Sequence, residues 1–473
     1  MAPKVTLTAI AGSLKGQEFE FSERTVCIIG RASDCYPQLP NDQEHRIISR
    51  YHCLLDINPP MIRVRDFGSL NGTYINDEKI GQRPLDQTPI EGAQTSGTDY
   101  YDLKAGDEIK LGTTIFKVRT SDPEKYLQVL THYNSHLVEQ LFTDESSASA
   151  SSEATQFVGE NDFVSSNSDF SRLSGADADN YLPCLEGYVF LKLLGKSGRG
   201  KVYLAQRESQ SEKVAIKVLE PQEPVSQYGI DVFLRDLENT QSLNHENIVK
   251  LSDFRYEDGV FWLVQEYCEQ GSVADLIQSQ GVISIDAAIS IILQVLEGLE
   301  YAHQAKIPHV KLPDGSWQAG AGMIHRDLKP SNLLLTQVQG KSVIKIGDYG
   351  IAKAFDLAGL SGLSFSDSVA RMPYFLPRHQ VLDFKSAAPK IDVWATAAIL
   401  YYMLTGEYAR DFSGNKDPWL VVLQNQPIPI WKRDASIPIW LAEILDRALV
   451  EKPSVHFKTA GEFKRSLASL RKS

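Results

Sequence analysis

Cysteine, long apolar runs and positive charge are all scarce in this 473-residue chain. Its five cysteines are scattered, so we expect reduced thiols rather than disulfides or a zinc site. The first residues lack an uninterrupted apolar core with a cleavage site, so we expect no signal peptide. The longest apolar run, residues 393–404, is shorter than the ~20 residues that span a bilayer. A net charge of -12 argues against general nucleic-acid binding. We therefore expect a cytoplasmic protein with no membrane span and no nucleic-acid partner.

Three stretches of different composition divide the chain. Residues 1–120 contain short alternating segments separated by turn residues, which predicts an all-β sandwich with a surface insertion at residues 80–101. Residues 121–184 begin with a helical period and continue as an acidic, serine-rich linker with too few hydrophobic residues to fold. Residues 185–473 show strands first and helices second, which predicts an α+β unit with a small β-rich lobe and a larger helical lobe.

A glycine-rich turn lies between the first two predicted strands of the third stretch. Gly195, Gly198 and Gly200 precede Val202, and the next predicted strand carries Lys217. Glycine lets backbone N–H groups approach a phosphate closely. Each feature alone is more typical of an ordinary turn or an edge strand. Their spacing along the chain favours a phosphate-binding site.

The strongest signal is an octapeptide that begins at His325. It reads His-Arg-Asp-Leu-Lys-Pro-Ser-Asn, and the triplet Asp348-Tyr349-Gly350 follows after a short predicted strand. Phosphoryl transfer needs a cation on the phosphates, oxygen ligands for Mg²⁺ and a residue that positions the attacking hydroxyl. The motifs of this stretch supply these parts in the order of the protein-kinase signature set.

Residues 186–470 therefore resemble a eukaryotic-like, bacterial-type Ser/Thr protein kinase domain. The resemblance implies that Asp327 orients the substrate hydroxyl and that Lys329 and Lys217 neutralise phosphate charge. It implies that Asn332 and Asp348 bind Mg²⁺, with Mn²⁺ as the alternative metal. Lys329, two residues after Asp327, is of the type found in Ser/Thr rather than Tyr kinases.

The same resemblance implies an ATP site between the two lobes. The backbone of Glu266 and Cys268 in the predicted hinge would contact the adenine. The implied ATP-binding residues are Leu194, Gly195, Lys196, Ser197, Gly198, Arg199, Gly200, Lys201, Val202, Ala215, Lys217, Glu266, Cys268 and Leu334.

The kinase pattern is broken at three places. The helix glutamate that should pair with the strand lysine falls on Asp236, which is one methylene shorter. The activation segment ends in Leu376-Pro377-Arg378 instead of Ala-Pro-Glu, and the arginine that pairs with that glutamate falls on His456, which predicts the joint loss of one buried ion pair. An extra stretch at residues 308–322, rich in Pro and Gly, is predicted to be a loop. A weakly active kinase or pseudokinase, acting as a nucleotide-binding phosphopeptide scaffold, is therefore the alternative function.

Three short elements mark the first stretch, each at a strand end or a turn: Gly30-Arg31, Ser49-Arg50-Tyr51-His52 and Asn71-Gly72-Thr73. Arginine and serine can hold phosphate oxygens, and asparagine can bond a peptide backbone. Together these elements resemble the forkhead-associated (FHA) domain, which reads phosphothreonine. The resemblance implies phosphopeptide contacts from Arg31, Ser49, Arg50 and Asn71, with His52 as a structural brace. A β-sandwich that binds no phosphopeptide is the alternative.

The predicted partners are phosphothreonine-containing proteins recruited by the FHA domain and protein substrates of the kinase. The activation segment contains no threonine, and its serines are predicted autophosphorylation sites that Arg326 would hold: Ser361, Ser364, Ser366 and Ser368. Thr143 and Thr155 near the linker, once phosphorylated, could dock on Arg31 within one chain or between two. A passive spacer is an equal alternative for the linker.

Overall fold

The structure is a computed structural model of the chain. It describes residues 4–22, 25–33, 35–84, 100–120, 182–197, 200–221, 227–311, 316–351, 373–382, 388–413, 418–451 and 456–470. The predicted helix and most of the linker, the centre of the predicted insertion at residues 80–101, and the four serines of the activation segment lie outside these residues.

Two antiparallel sheets form the amino-terminal unit. Its strands are β1 (Val5–Ala11), β2 (Glu18–Phe21), β3 (Thr25–Ile29), β4 (Cys53–Asn58), β5 (Met61–Asp66), β6 (Thr73–Ile75), β7 (Glu78–Gly81), β8 (Tyr101–Leu103), β9 (Glu108–Leu111) and β10 (Thr114–Thr120). One sheet has the order β2-β1-β10-β9-β6-β7, and the other has the order β3-β4-β5-β8. Alternate residues of both sheets, such as Leu55, Val64 and Phe116, fill one buried core between them. The predicted sandwich is confirmed.

A small lobe and a large lobe form the described part of the chain from residue 182 onward, as predicted. The small lobe contains β11 (Tyr188–Ser197), β12 (Gly200–Arg207), β13 (Lys213–Leu219), α1 (Gln227–Gln241), β14 (Leu251–Glu257) and β15 (Val260–Glu266). The large lobe contains α2 (Val273–Gln280), α3 (Ile285–Ala302), β16 (Lys306–Lys311), β17 (Trp317–Ala321), β18 (Leu333–Val338), β19 (Lys341–Ile346), α4 (Arg378–Leu382), α5 (Lys390–Thr405), α6 (Pro418–Gln424), α7 (Ile439–Ala448) and α8 (Ala460–Leu470). The small-lobe sheet has the order β11-β12-β13-β15-β14.

Helix α5 is the centre of the large lobe. Its side chains are buried around nearly the whole circumference, which explains the apolar run at residues 393–404. Gly406 ends the helix in the left-handed conformation, with φ of +69°, which glycine adopts at little cost. Within the part of the chain that the structure describes, no helix has the length and apolar character needed to cross a membrane. The cytoplasmic location stays a prediction.

The extra stretch at residues 308–322 contains most of a β-hairpin, so the predicted loop is wrong. Strands β16 and β17 pair antiparallel, from Lys306 opposite Ala321 to Lys311 opposite Trp317. The pairing is irregular between Ile307 and Val310, which is where Pro308 lies. Proline is tolerated in a strand at such irregularities, so its presence does not exclude a strand here.

Candidate functional site

Asp392 of α5 holds the loop that carries the octapeptide. Its carboxylate accepts the backbone N–H groups of His325 and Arg326, both at 2.9 Å, and lies 2.8 Å from the ring of His303. Burial raises the pKa of the Asp392 carboxyl, but the bond and charge of His303 and the bond from His325 outweigh it, so the pKa lies below the usual value. A buried, charged carboxylate therefore fixes the backbone just before Asp327.

The predicted catalytic and metal-binding residues of the octapeptide lie together. The amide group of Asn332 donates to the Asp327 carbonyl at 2.8 Å, and Lys329 Nζ lies 3.3 Å from the Asp327 carboxylate. The backbone N–H of Gly347 donates to the Asn332 carbonyl at 2.8 Å, which attaches the following segment to the loop. The Asp327 and Lys329 side chains remain 27% and 33% exposed, so a substrate can reach them.

Lys217 and Asp348 form an ion pair between the two lobes. Lys217 Nζ on β13 lies 2.6 Å from the Asp348 carboxylate, which follows β19. Burial raises the pKa of Asp348, but the charge and hydrogen bond of Lys217 outweigh it, and the pKa lies below the usual value. Asp348 has a φ of +56°, a conformation that costs energy outside glycine and that occurs at functional sites. The predicted pairing of Lys217 with Asp236 stays a prediction.

Tyr349 connects helix α1 to the loop that carries the octapeptide. Its hydroxyl donates to the Met323 carbonyl at 3.1 Å, and its own carbonyl accepts a hydrogen bond from the Thr240 hydroxyl of α1 at 3.1 Å. The ring packs edge-on against His325, with 4.9 Å between ring centroids. Burial raises the pKa of the Tyr349 hydroxyl well above its usual value, so it stays a donor.

The glycine-rich turn is the end of the β11–β12 hairpin. Its last residue pairs are Gly195–Val202, Lys196–Lys201 and Ser197–Gly200. Gly200 has a φ of +152°, and a Cβ atom there would lie 2.0 Å from the Val218 carbonyl oxygen, so only glycine fits. Leu194 is 40% exposed beside this turn. Gly198 and Arg199 lie outside the described residues.

The predicted hinge follows β15. The backbone N–H of Glu266 donates to the Lys250 carbonyl at 2.9 Å, which fixes the backbone where the hinge begins. Burial raises the pKa of the Cys268 thiol to about 12, so this cysteine is neutral and unreactive. Ala215 lies on β13, and Leu334 lies on β18, where it bridges to the start of α2.

A buried ion pair from other positions of the chain anchors the end of the activation segment, in place of the pair that was predicted to be lost. Arg410 lies 2.6 Å from Glu451, and their side chains are 0% and 2% exposed. Glu451 also accepts the backbone N–H of Arg378, and Arg410 donates to the Leu376 carbonyl at 3.2 Å. The Arg410 guanidinium lies over the Trp394 ring, 4.7 Å from its centroid. Both ends of the pair thus hold the segment that replaces Ala-Pro-Glu.

The β16–β17 hairpin holds helix α1. The Asn239 amide donates to the His309 carbonyl at 2.8 Å and accepts the His309 N–H at 2.9 Å. The His309 ring bonds to Glu238, and the Arg235 guanidinium lies 5.2 Å from the centroid of the Trp317 ring. The hairpin therefore contacts three polar side chains, Arg235, Glu238 and Asn239, of the helix that Tyr349 also touches.

Replacing Asn239 by alanine is expected to loosen α1. The change removes one side chain that satisfies both polar groups of the His309 backbone, which costs about 1–3 kcal/mol of local stability. Hydrogen exchange of the amides in α1 and β16 should accelerate, whereas the exposed Gln241→Ala control should change it little. Unchanged exchange in Asn239→Ala would show that the hairpin does not hold the helix.

The predicted phosphate-binding residues converge at one end of the sandwich. Arg31 Nε donates to the Ile48 carbonyl at 2.6 Å, and the guanidinium also bonds to the Asn41 side chain. Ser49 Oγ accepts the backbone N–H of Leu70 at 3.0 Å, and the Arg31 N–H donates to the Ser49 carbonyl at 3.3 Å. Three separate turns are thereby brought side by side.

His52 braces these turns from below, as predicted. Its Nδ1 accepts the Ser49 N–H at 3.0 Å, and its other ring nitrogen lies 3.0 Å from the Gly72 carbonyl, so the ring is neutral and donates there. The neighbouring Asn71 donates its amide to the Ile47 carbonyl at 2.6 Å. Arg50 is exposed at the same end of the sandwich.

The His52 brace is expected to make the sandwich sensitive to acid. Burial lowers the pKa of the His52 imidazole. The charge of Asp66 and the hydrogen bond to Gly72 raise this pKa, but burial outweighs them. The stabilisation that neutral His52 gives to the sandwich is therefore complete above the unfolded-state pKa of about 6.5. It is lost as pH falls through the lower folded-state pKa. NMR should show His52 still neutral at pH about 6.5, and sandwich stability should fall below that pH. A ring that titrates at or above the ordinary pKa would contradict this assignment.

Comparisons with known proteins agree with these two units. A family model described as protein kinase domain matches residues 188–455, and one described as FHA domain matches residues 27–90. Serine/threonine-protein kinase PrkC of Bacillus subtilis is 28% identical over 273 residues, which are 58% of this chain and 39% of that protein. Probable serine/threonine-protein kinase CPE1738 of Clostridium perfringens is 27% identical over 291 residues, 60% of this chain and 38% of that protein.

The match therefore spans about two fifths of the length of these curated relatives. Among solved structures, Rad53 1–466 in complex with AMP-PNP aligns with 98% of this chain and 99% of that chain, at 18% identity and a TM-score of 0.46.

Proposed function

We propose that this chain, which belongs to the protein kinase family and carries an FHA domain ahead of its kinase domain, is an ATP-dependent Ser/Thr protein kinase. The observation that carries the proposal is two sets of contacts: Lys217 pairs with Asp348, and Asp327 contacts both Lys329 and Asn332. These are the groups that phosphoryl transfer requires, held by neighbours that are themselves buried and bonded.

Each residue has a separate role in the proposed reaction. Asp327 accepts a hydrogen bond from the Ser or Thr hydroxyl and aims its oxygen at the γ-phosphorus. Lys329, 3.3 Å from that carboxylate, neutralises charge on the moving phosphoryl group. Lys217, positioned by Asp348, holds the other phosphates of ATP. The transferred group passes to the hydroxyl oxygen, ADP leaves, and the hydroxyl proton is released through Asp327.

Asn332 and Asp348 fit a Mg²⁺ ion, with Mn²⁺ as the alternative. The side-chain N–H of Asn332 donates to the Asp327 carbonyl, which leaves the side-chain oxygen of Asn332 as the atom that would bind the metal. The lowered pKa keeps the Asp348 carboxylate charged, and such oxygen donors are what Mg²⁺ prefers beside nucleotide phosphates. When bound, the metal supplies charge neutralisation on the β- and γ-phosphate oxygens.

ATP binding is proposed for the space between the β11–β12 hairpin and the hinge. The backbone of the glycine-rich turn, from Leu194 to Val202, would contact the phosphates, and Gly200 is fixed there by its φ and by Val218. The Glu266 carbonyl and the Cys268 backbone would bond the adenine, with Ala215 and Leu334 on its two faces. Because the Cys268 thiol is neutral, it would act as an apolar wall.

The alternative of a weakly active kinase or pseudokinase rested on Asp236, on the extra stretch at residues 308–322 and on the altered activation segment. The Arg410–Glu451 pair supplies an anchor for that segment from other positions of the chain, which supports the active-enzyme proposal. The test is the intact mass of the purified chain after incubation with ATP and Mg²⁺. Addition of whole phosphate groups to the wild type, and none to Lys217→Met, supports an active kinase. A wild type that binds ATP without gaining phosphate would favour the scaffold.

We also propose that the FHA domain binds phosphothreonine proteins through Arg31, Ser49, Arg50 and Asn71. Arg31→Ala is expected to weaken binding of a phosphothreonine peptide about 10- to 100-fold, because a charge-assisted hydrogen bond contributes about 1.5–3 kcal/mol. Calorimetry with phosphorylated and unphosphorylated peptides measures this. The control is Arg119→Ala, an exposed arginine of β10 on the other sheet. Equal binding by Arg31→Ala and wild type would contradict the assignment.

The boundaries 1–120, 121–184 and 185–473 remain our proposal for the FHA domain, the linker and the kinase domain. Autophosphorylation of the activation-segment serines and docking of phosphorylated Thr143 or Thr155 on Arg31 also remain proposals, because those hydroxyl residues lie outside the described part of the chain.

A further inference from the structure

The outer face of the four-stranded FHA sheet is buried against the kinase large lobe. Ile28 of β3 and Leu54 of β4 point away from the sandwich core, yet each is 1% exposed. They belong to one apolar cluster with residues of the large lobe, which are Leu376, Val381, Phe412, Trp419, Leu420, Val422 and Leu423. An antiparallel sheet commonly leaves one face in water, so this burial shows that the kinase domain is its cover.

Helix α6 supplies the kinase side of this interface. Four consecutive residues, Leu420 to Leu423, are fully buried, although the helix has only 7 residues. A helix that is apolar all round needs a cover on both sides. The large lobe covers one side of α6, and the FHA sheet covers the other.

A polar contact inside this interface reaches the activation segment. Arg378, the first residue of α4, bonds to the Tyr51 hydroxyl, and its guanidinium lies over the Tyr51 ring, 5.6 Å from the centroid. The backbone N–H of the same Arg378 is held by Glu451. Arg378 is 7% exposed and Tyr51 is 8% exposed, so water does not compete for the contact.

Helix α4 continues the connection to the catalytic loop. Two residues after Arg378, the Gln380 amide donates to the Arg326 carbonyl at 2.7 Å. Arg326 has a φ of +68°, a backbone conformation that needs support from its neighbours, and it immediately precedes Asp327. A five-residue helix thus contacts the FHA domain through Arg378 and the backbone before Asp327 through Gln380.

We propose that Tyr51 of the FHA domain is a positioning residue for phosphoryl transfer, acting through Arg378 and Gln380 on the backbone that carries Asp327. The proposal rests on the kinase function above and extends it: the FHA domain does more than recruit partners, because its docked form completes the catalytic domain. Tyr51 follows Ser49 and Arg50 directly, and the Ala32 N–H of the Arg31 turn bonds to the Arg50 carbonyl at 3.0 Å. The phosphate-binding end of the sandwich therefore borders the same contact.

The test compares full-length variants. Tyr51→Ala removes the ring and the hydroxyl, and Leu54→Asp puts a carboxylate into the apolar interface. Both are expected to lower kcat toward a Ser peptide about 10-fold or more, with KM for ATP nearly unchanged, because positioning rather than nucleotide binding is lost. Tyr51→Phe keeps the ring under the guanidinium and should recover an intermediate kcat. Tyr36→Ala, a half-exposed tyrosine that packs on Phe19, is the matched control.

Hydrogen exchange on the same variants separates the outcomes. Amides of α4 and α6 should exchange faster in Tyr51→Ala and Leu54→Asp, while those of β4 and β10 stay protected and show that the sandwich is folded. Wild-type kcat in Tyr51→Ala, or faster exchange without any loss of kcat, would overturn the proposal. If the wild type itself transfers no phosphate, the kinase assignment fails instead. Unchanged hydrogen exchange of α4 and α6 in Tyr51→Ala and Leu54→Asp would independently overturn the docking contact.

Discussion

Replacing Asp327 by asparagine is expected to lower the rate of phosphoryl transfer about 10²- to 10⁴-fold, the usual contribution of a positioned acid–base group. Asparagine has nearly the same shape, and apart from the Lys329 ion pair the contacts at this position involve the backbone. The Asp327 N–H points to the His325 ring at 3.3 Å, and its carbonyl accepts from Asn332. The loop should therefore keep its conformation while the carboxylate is lost. Steady-state phosphorylation of a Ser peptide measures the effect.

A matched control for this change is Glu443→Gln, which neutralises an exposed carboxylate on α7. It should leave kcat within error of the wild type. Nucleotide affinity should be kept in Asp327→Asn, because that carboxylate faces the hydroxyl acceptor rather than ATP. If Asp327→Asn retained more than about a tenth of the wild-type rate, its assigned role would be wrong.

Breaking the Arg410–Glu451 pair is expected to cause the largest loss of stability. Removing one partner leaves an unpaired charge in the interior, which typically costs about 3–5 kcal/mol. Arg410→Met and Glu451→Gln should each lower the denaturant midpoint of the kinase domain by a corresponding amount. The double variant should lose much less than the sum, because neither charge is left without its partner.

The comparison pair is Lys464 and Glu300, which lie 2.5 Å apart but are 27% and 32% exposed. Partly exposed pairs contribute only about 0–1 kcal/mol, so Lys464→Met should change the midpoint little. Additive losses in the Arg410 and Glu451 double variant would contradict a direct pairing. Activity should fall with stability in both single variants, since the pair holds Leu376 and Arg378.

The residues that we propose to be catalytic could be found in the sequence because their motifs are local. The octapeptide from His325 to Asn332 and the triplet at Asp348 each fit within a few residues, so their spacing is fixed by the covalent chain. The turns that carry Arg31 and Ser49, for which we propose phosphate binding, are equally short. The helix at residues 393–404 was predictable for another reason: a run that is apolar on all sides must be buried on all sides.

The anchor of the activation segment could not be predicted, because its parts meet only in the folded chain. Motif spacing points to His456, but this residue is exposed and bonds to Arg447 at 2.8 Å, whereas Glu451 occupies the buried position beside Arg410. A buried Arg–Glu pair can be rebuilt from different positions as long as the charges meet. Motif spacing follows the positions and therefore misses such an exchange.

The FHA–kinase interface left one signal in the sequence. Strand β3 reads Thr-Val-Cys-Ile-Ile, apolar on both faces, while a strand with one solvated face alternates. That pattern indicates burial on both sides but gives no information about what lies on the second side. The hairpin at residues 308–322 was missed because Pro and Gly weigh against strands, although one irregular position accommodates the proline.

The most direct test of the kinase assignment is transfer of the γ-phosphoryl group from labelled ATP by the wild type and by Asp348→Asn, with Mg²⁺ present. With the wild type we expect label on Ser or Thr of the chain and on a Ser peptide. With Asp348→Asn we expect no label, because the carboxylate that is proposed to bind the metal and that also positions Lys217 is neutralised. Equal labelling by both proteins, or a wild type that binds ATP and transfers nothing, would contradict it.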